Sequence, residues 1–324
     1  MTPTVTIRPF DGSDADYEAA AAVGNAIYPE RLTSPNELRS RDHHSDPAKY
    51  FLGRWLAYDA AGAVVGSAVA RHLSWAFDPD RYFFWAGVKP DRRGQGVGRA
   101  LYSQVTGALQ ERGAAELWTA TEETFTDALA FLARRGFEEK AREWESRLAV
   151  PAFDPAPYTP LLQRLAGEGI TFTTLADLQQ HASNWLQVIY DLDTLLIADI
   201  PMPYPFTHPS LEEYAHEVVN DPGFLPEGYF LARDGDQCVG LSFLERRELR
   251  PDSLEHGFTG VRREYRGRGI ATALKLKTIE YAHTHGYREI VTGNSTLNAP
   301  MLAINQKLGF VRQPAKVEFV KRLA

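Results

Sequence analysis

Alternating apolar and polar positions mark short strands along the chain, and apolar positions at helical spacing mark the helices between them. "TVTIRPF" near the start and "GITFTTL" from Gly169 both alternate like half-buried strands. "YFLGRWLAYDAAGAVVGSAVARHL" from Tyr50 and "YFLARDGDQCVGLSFLERREL" from Tyr229 each place two apolar runs around a short turn, which is typical of a β-hairpin. The pattern therefore predicts the same opening twice, a strand followed later by a hairpin.

The same order continues in both halves. A further strand ("RYFFWAGV", "LEHGFTGV") precedes a glycine-rich turn and a helix, and another strand and helix follow ("AELWTA" and "FTDALAFLARRGF"; "REIVTG" and "APMLAINQKLGF"). The strand ends at Val88 and Val261 are 173 residues apart, and so are the Gly-Phe pairs that begin at Gly136 and Gly309. This constant offset predicts a duplicated unit of mixed α/β class, with helices flanking a sheet.

The segment "VPAFDPAPYTP", from Val150 to Pro160, is rich in proline and has no helical periodicity. It predicts two domains, at residues 1–152 and 166–324, joined by a linker at residues 153–165. A chain of 324 residues is long enough for two cores.

Composition narrows the class of protein. The chain is 44% hydrophobic and 24% charged, as in soluble globular proteins, and its net charge of −7 argues against a general nucleic-acid-binding surface. The single cysteine, Cys238, excludes an intramolecular disulfide, and the histidines show no tight metal-ligand spacing beyond His283-x-His285, so we predict no metal site. Without a long apolar run or a signal-like start, we expect no membrane span and a cytoplasmic location.

The glycine-rich turns give the strongest chemical signal. Small residues allow a ligand to approach the backbone, and successive N–H groups at the start of a helix form a donor nest that the helix dipole makes positive. We therefore predict that each turn binds a pyrophosphate. The turns consist of Arg93, Gly94, Gln95, Gly96, Val97 and Gly98 in the first half and Arg266, Gly267, Arg268, Gly269, Ile270 and Ala271 in the second.

Three other interpretations explain these turns less well. A helix-capping turn would account for one copy, but not for two copies with a leading Arg at the same offset. A dinucleotide site would place its glycines after the first strand, whereas these follow about the fourth. An RNA-binding Arg-Gly segment would be repetitive and disordered, whereas these lie between apolar elements.

An Arg-x-x-Gly-x-Gly/Ala turn after a strand, followed by a helix, a strand and a helix ending in Gly-Phe, resembles the acetyl-CoA-binding core of the GNAT acyltransferase superfamily. The resemblance occurs twice and spans nearly the whole chain. It implies in each domain a mixed, mostly antiparallel sheet whose fourth and fifth strands splay apart around the pantetheine of acetyl-CoA. The turn and Val261 would then hold this cofactor in the second half, and the turn and Val88 in the first.

The two halves differ at positions that matter in this family. Relatives often have an Asn near the cofactor, eleven residues before the glycine of the Gly-Phe pair, where this chain has Asn298 and Phe125. They often have a Tyr four residues before that glycine, which can protonate the leaving thiolate, where this chain has Asn305 and Leu132. Neither half has this acid. A thiol of ordinary pKa, about 8.5, leaves fairly well as a thiolate near neutral pH, so water or a hydrogen bond from Asn305 could suffice in place of the Tyr.

An acceptor amine arrives protonated, so its attack on a thioester needs a general base. Strand alternation places Glu255, Thr259 and Val261 on one face and His256 on the other. Many relatives use a Glu on this fourth strand as the base, so we predict Glu255 as the base, with His256 as a further catalytic candidate. The alternatives are a solvated carboxylate for Glu255 and simple packing or display for His256. The first half has Tyr82 in place of the Glu, so the second half is predicted to be catalytic.

The segment between the first two helices commonly builds the acceptor pocket in relatives. Here it reads "ADIPMPYPFTHPSLEEY", in which Tyr204, Phe206 and His208 stand among four prolines and are predicted to form an aromatic wall for a small-molecule amine. Nearby acids could attract its ammonium group, although each would ordinarily be a solvated surface residue. These acids are Asp191, Asp193, Asp199, Glu212, Glu245 and Glu248.

The leading hypothesis is an acetyl-CoA-dependent N-acetyltransferase in which the amine attacks the thioester directly and the Val261 backbone N–H stabilises the oxyanion. The tandem layout also resembles mycothiol synthase, which acetylates a cysteinyl amine and pairs an active second half with a degenerate first half. The rival class is a non-catalytic acyl-CoA-binding sensor or scaffold. We expect the first half to bind the cofactor too, and either a monomer or a homodimer fits the sequence.

Overall fold

The computed structural model describes residues 5–43, 46–202 and 204–323, which form two compact units. The first unit contains the described residues through Ala141, together with Tyr204–Pro209 and those from Lys316 onward. The second contains those from Arg142 to Met202 and from Ser210 to Ala315. Within these ranges, no helix combines the length and apolar character needed to cross a bilayer.

Each half of the chain follows the predicted order of strands and helices. The first half forms β1 (Thr6–Pro9), α1 (Asp14–Ile27), α2 (Pro35–His43), β2 (Leu52–Tyr58), β3 (Val64–Arg71), β4 (Arg81–Val88), α3 (Val97–Gln110), β5 (Glu116–Glu122), α4 (Thr126–Ala133) and β6 (Glu138–Ala149). The second half forms α5 (Thr159–Gly167), β7 (Ile170–Thr174), α6 (Leu175–His181), α7 (Trp185–Ile197), α8 (Leu211–Tyr214), β8 (Tyr229–Asp234), β9 (Gln237–Arg246), β10 (Ser253–Val261), α9 (Ile270–Thr284), β11 (Glu289–Ser295), α10 (Ala299–Lys307) and β12 (Val311–Arg322).

Both units contain a mixed, mostly antiparallel sheet, as predicted. The strand order is β1-β2-β3-β4-β5-β12 in the first unit and β6-β11-β10-β9-β8-β7 in the second. The parallel pairs are β4 with β5 and β10 with β11. The two hairpins, β2–β3 and β8–β9, lie where the alternating pattern predicted them.

The parallel pairs splay apart, which also confirms the expectation. Pairing of β4 with β5 ends at Phe83 and Trp118, although β4 continues to Val88. Pairing of β10 with β11 ends at His256 and Thr292, although β10 continues beyond this point. Each pair therefore opens toward the glycine turn that follows its first strand.

The last strand of each half belongs to the other unit. Residues 316–322 of β12 pair with β5, and residues 143–149 of β6 pair with β11. The exchange covers the edges of β5 and β11, which would otherwise expose unpaired backbone groups. The units therefore differ from the predicted division into residues 1–152 and 166–324, because strand pairing between distant segments leaves no mark in local composition.

The predicted linker at residues 153–165 is also different in the structure. It includes most of α5, whose Leu165 is fully buried in the second unit. Pro160 lies in the first turn of this helix, where its missing N–H costs nothing. A nine-residue helix with proline at its second position gave too little periodicity to be recognised.

Helices α3 and α9 build the cores behind the two glycine turns. In the first unit, α3 buries Leu101, Val105 and Leu109 at a spacing of four residues against β3 and β4. In the second, α9 buries Leu274 and Ile279 against the sheet. This packing fixes the N-terminus of each helix at the open end of the splayed strands.

Candidate active site

The glycine turn of the second unit has the predicted backbone form. Gly267 and Gly269 have φ angles of 76° and 84°, a left-handed region that favours glycine, and Gly269 caps α9. The Arg266 side chain donates from Nε to the carbonyl oxygen of Val261 (3.0 Å), which ties the turn to the end of β10. The first N–H groups of α9 have no partners within the helix, so they are free to receive an anion.

A cleft of about 410 Å³ opens at this turn, where the end of β10, the start of α9, α10 and the end of α7 come together. Its walls are largely apolar and one end is the helix N-terminus, which suits a ligand with an anionic end and a long, less polar arm. The cleft brings together the predicted cofactor residues Val261, Arg266, Gly267, Gly269, Ile270, Ala271 and Asn298 with Leu196, Ile200, Pro201, Phe258, Thr259, Met301 and Ile304.

The arginines of the turn are engaged by carboxylates. Arg266 and Arg263 both pair with Asp199, just beyond α7, and these hydrogen bonds lower the pKa of Asp199. Arg268 pairs with Glu168 at 2.7 Å and does not line the cleft, contrary to our expectation for a cofactor residue. These ion pairs engage the arginine side chains, whereas the first backbone N–H groups of α9 have no partner within the helix.

The first unit repeats the turn. Gly94 and Gly96 have φ angles of 76° and 86°, Gly96 caps α3, and Arg93 donates from Nε to the Val88 carbonyl at 3.5 Å. Gln95 lies between these glycines, and the buried Val97 begins the helix. The backbone requirements for an anion nest are thus present in both halves.

The residues beside the first glycine turn differ from those beside the second. The rings of Tyr28 and Phe125 are 5.5 Å apart and those of Tyr28 and Trp85 are 6.4 Å apart, so an aromatic group spans from β4 to the residue that precedes α4. Phe125 occupies the place that Asn298 has in the second half, and the Arg93 guanidinium lies 5.6 Å from its ring. The first turn therefore has aromatic rings beside it where the second turn has Asn298.

A β-bulge in β10 changes which residues share a face. His256 pairs with Leu244, but Ser242 pairs with Thr259, so one extra residue lies between these pairs. Thr259 consequently faces the same side as His256, and the predicted alternation, which placed it with Glu255, is wrong beyond this point. Gly257 permits the bulge, because a Cβ there would lie 2.1 Å from the ring of Phe243.

A buried polar chain lies on the α9 side of this bulge. Ser242 Oγ is 3.0 Å from His256 Nε2 and 2.8 Å from Thr259 Oγ1. Lys275 Nζ lies 3.4 Å from His256 Nε2 and 3.5 Å from its Nδ1. Burial lowers the pKa of Lys275 to about 7, and burial together with the Lys275 charge lowers the pKa of His256 well below its usual value.

Sequence reasoning missed Lys275, although a signal was present. This residue is four positions after Ala271 and four before Ile279, so it falls in the apolar stripe of α9. It is 1% exposed. A lysine in the apolar stripe of a helix is indicated by the pattern as a candidate buried lysine.

Glu255 lies on the opposite, α7 side of the sheet. It is directly across from Glu245 on β9, and Phe243, two residues before Glu245, packs against the α7 core. A cavity of about 80 Å³ on this side is lined by Glu245, Asp193, Tyr214, Tyr229 and Phe243, among others.

Asp193 is the most unusual group in this cavity. It is 7% exposed, and its Oδ1 has no hydrogen-bond partner among the described residues. Burial raises the pKa of Asp193 to about 7, against the opposing effect of a hydrogen bond with Tyr214. A buried carboxylate oxygen without a partner is costly, so this site favours a cationic or hydrogen-bond-donating ligand.

Asn305 lies on α10 beside the cleft residue Ile304. It is buried, its Nδ2 donates to Asn294 Oδ1 at 2.5 Å, and its Oδ1 has no partner among the residues that the structure describes. One of its two amide N–H groups is engaged in this way, and an amide does not supply a proton at neutral pH. Asn305 is therefore a poor replacement for an acid.

The predicted aromatic wall is not part of this cleft. Tyr204, Phe206 and His208 belong to the first unit, where the Tyr204 ring lies 5.1 Å from Trp75 and 4.6 Å from Trp118. The ring of Phe206 lies 4.9 Å from that of His208. The proline-rich segment is held by backbone contacts, including Thr207 N to Trp75 O at 2.8 Å, that its sequence does not reveal.

Each unit combines a mixed sheet, whose parallel strand pair splays open, with a glycine-capped helix at the open end. The profile of the acetyltransferase (GNAT) family matches residues 19–137 and 190–310. The chain therefore belongs to the GNAT family and is an N-acetyltransferase.

Curated relatives and a solved tandem GNAT protein resemble this chain over most of its length. The chain is 27% identical over 240 residues to a mycothiol acetyltransferase of Catenulispora acidiphila, covering 72% of this chain and 70% of the relative. It is 24% identical over 318 residues to a mycothiol acetyltransferase of Frankia casuarinae, covering 95% and 84%. A tandem GNAT protein from the clavulanic acid biosynthesis pathway has the same fold, with a TM-score of 0.74, 19% identity and 98% of each chain covered.

Proposed function

We propose that the second unit transfers an acetyl group from acetyl-CoA to a primary amine of a small molecule, by direct attack in a ternary complex. The observation that carries this proposal is the cleft beside the end of β10, which begins at the N-terminus of α9. The backbone N–H groups from Gly267 to Ala271 would hold the pyrophosphate, and the apolar walls would hold the pantetheine arm. Asn298 lines the same cleft and would contact the cofactor.

The reaction needs a base and an oxyanion donor. We assign the base to Glu255, which faces the α7 side where the acceptor would enter. The edge of β10 beyond His256 no longer pairs with β11, so its backbone N–H groups, at or near Val261, would stabilise the oxyanion of the tetrahedral intermediate. Coenzyme A would then leave without a covalent intermediate on the enzyme.

The acidic cavity supports an amine acceptor. Asp193 and Glu245 line it on the same side of the sheet as Glu255, and the Tyr214 and Tyr229 rings add aromatic walls. An ammonium group would provide the missing partner for Asp193 Oδ1. This cavity replaces the segment around Tyr204 as the proposed acceptor site.

A cysteinyl amine is the second candidate for the acceptor, as in mycothiol synthesis. It is favoured by the relatives named mycothiol acetyltransferases, one of which matches 95% of this chain. An amine-acceptor screen that includes a cysteinyl amine and simple alkyl amines, read by the release of free thiol from acetyl-CoA, would separate the two candidates. A protein that binds acetyl-CoA but transfers to no amine would instead be a sensor.

Calorimetric titration of acetyl-CoA tests the cofactor site. Ala271 lies in the first turn of α9 and lines the cleft, so Ala271→Glu places a carboxylate in the nest without demanding a positive φ. We expect affinity to fall at least about tenfold, with a smaller loss in the uncharged control Ala271→Gln. Gly98→Glu is the matched variant of the first unit, where an added Cβ makes only a 3.6 Å contact with Val88. Unchanged affinity in Ala271→Glu would contradict the proposed site.

A further inference from the structure

The proposed reaction leaves one proton unassigned. When the C–S bond breaks, the electron pair stays on sulfur, and a thiol of pKa about 8.5 is mostly protonated at neutral pH. Asn305 cannot supply this proton, because an amide N–H donates a hydrogen bond but is not an acid at neutral pH. The proton must therefore come from another group near the cleft or from water.

A continuous polar chain connects the cleft with the protein interior. Thr259 lines the cleft, and its hydroxyl is 2.8 Å from that of Ser242. Ser242 is 3.0 Å from His256 Nε2, and Lys275 Nζ is 3.5 Å from Nδ1 of the same ring. Each side chain can both receive and pass on a proton, so the chain has the connectivity of a relay.

The inner end of the chain is a lysine that lacks an acidic partner. No carboxylate within the described ranges forms an ion pair with Lys275, and the ionisable group in contact with it is His256 on β10. Beneath its ammonium lies the ring of Phe310, at 5.2 Å. A buried lysine without a counter-ion exchanges its proton near neutral pH, and the pKa of Lys275, lowered by burial to about 7, fits this role.

We propose that Lys275 supplies the proton that the departing coenzyme A thiolate takes up, through His256, Ser242 and Thr259. This inference rests on the proposed acetyl transfer in the second unit. Thr259 gives its hydroxyl proton to sulfur and receives one from Ser242, which receives one from His256 Nε2. The ring takes the Lys275 proton at Nδ1. Glu255 keeps the proton that the amine lost until solvent removes it, and Lys275 is recharged along the same chain.

The first test uses coenzyme A and does not depend on the acceptor. The ultraviolet absorbance of the bound thiolate is followed against pH in the wild type, Lys275→Met and Thr259→Val. Because the thiol can pass its proton inward to neutral Lys275, we expect it to ionise at least about one pH unit lower in the wild type than in either variant. The control is Thr278→Val, which removes a buried hydroxyl on α9 that donates to the Lys275 carbonyl oxygen. This hydroxyl is not part of the proposed proton relay, so the thiol should ionise at the same pH as in the wild type.

The outcomes separate the relay from the proposed function. Normal coenzyme A affinity with the same thiol ionisation in all four proteins would overturn the relay alone. A wild type that does not bind coenzyme A would overturn the proposed function and the relay with it. If Lys275→Met does not fold, Thr259→Val decides, because it removes the hydroxyl at the cleft and leaves the buried lysine in place.

A second test uses single-turnover acetyl transfer to an amine found in the screen. The protonated lysine is the donor, so the wild-type rate should decline as pH rises through about 7, and this decline should be absent in Lys275→Met. The rate is also measured in mixtures of light and heavy water. Its dependence on the deuterium fraction should indicate more than one transferred proton in the wild type and at most one in Thr259→Val. Identical pH and isotope profiles in wild type and variants would overturn the proposal.

Discussion

The hydroxyl groups of Ser242 and Thr259 lie 2.8 Å apart on neighbouring strands β9 and β10. They meet because the bulge adds one residue to β10, so that Thr259 rather than Phe258 stands opposite Ser242. The same shift turns the Thr259 side chain toward His256 and places it at the cleft. One inserted residue thus creates the contact between the cofactor cleft and the buried polar chain.

The bulge should depend on Gly257. We expect Gly257→Ala to lower the free energy of unfolding by about 1–3 kcal/mol, because its new Cβ would overlap the Phe243 ring. Urea denaturation measures this loss. The double variant Gly257→Ala with Phe243→Leu should recover part of it, and equal stability of wild type and single variant would show that the ring moves aside freely.

The buried Lys275 predicts a specific pH dependence of stability. Its pKa is lowered on folding, so the unfolded chain binds more protons between about pH 7 and 10, and stability should rise with pH in this window. As pH rises, the free energy of unfolding of the wild type should increase by up to about 1.4 kcal/mol per pH unit more than that of Lys275→Met. Urea denaturation measures both. Lys277→Met, which removes a lysine paired with Glu280, is the control and should follow the wild type.

The general base should be separable from cofactor binding. Glu255→Gln should reduce turnover about 10²- to 10⁴-fold, because the amide cannot accept the amine proton, and should leave acetyl-CoA affinity unchanged. Acetyl transfer and calorimetry measure the two effects. Glu264→Gln changes an exposed glutamate near the glycine turn and should keep full turnover. Full activity of Glu255→Gln would place the base elsewhere.

Asp193 should govern acceptor binding. We expect Asp193→Asn to raise KM for the amine about tenfold or more without weakening acetyl-CoA binding, since the cavity would lose its charge. The control is Asp191→Asn, an exposed neighbour on α7 that accepts a hydrogen bond from Gln187. The same small change in KM for both variants would exclude the cavity as the amine site.

The raised pKa of Asp193 also has a stability consequence. Between about pH 4 and 7 the folded protein binds more protons at this group than the unfolded chain does, so its contribution to stability falls as pH rises. The difference in unfolding free energy between Asp193→Asn and wild type should therefore grow in favour of the variant from pH 4 to pH 7. Urea denaturation at both pH values measures it, and a constant difference would contradict the raised pKa.

The aromatic group of the first unit should limit cofactor binding there. In the Ala271→Glu background, where the second unit is blocked, Phe125→Asn should tighten binding of acetyl-CoA to the first unit, because it removes a ring beside the turn and introduces the residue found at Asn298. Calorimetry measures the change. Addition of Gly98→Glu should abolish this binding, and binding that survives it would lie outside the turn.

Much of the fold followed from local sequence. The glycine turns at Gly94–Gly98 and Gly267–Ala271 were predicted because left-handed backbone angles and a helix start favour glycine at fixed positions. The surroundings of the two turns differ as single positions indicated, with Asn298 in one half and Phe125 in the other. The segment from Tyr204 to His208 was expected beside the second glycine turn but belongs to the first unit, because its aromatic residues give no sign of which unit they contact.

The sequence by itself determined the repeat, the order of strands and helices, and the backbone form of the two glycine turns, since each depends on backbone angles and spacing over a few neighbouring residues. Only the tertiary structure decided the rest. The exchange of β6 and β12, the bulge at Gly257, the isolation of Asp193 and the burial of Lys275 beside His256 all arise from contacts between segments far apart in the chain. Such contacts set burial and partners, and burial and partners set the chemistry of these groups.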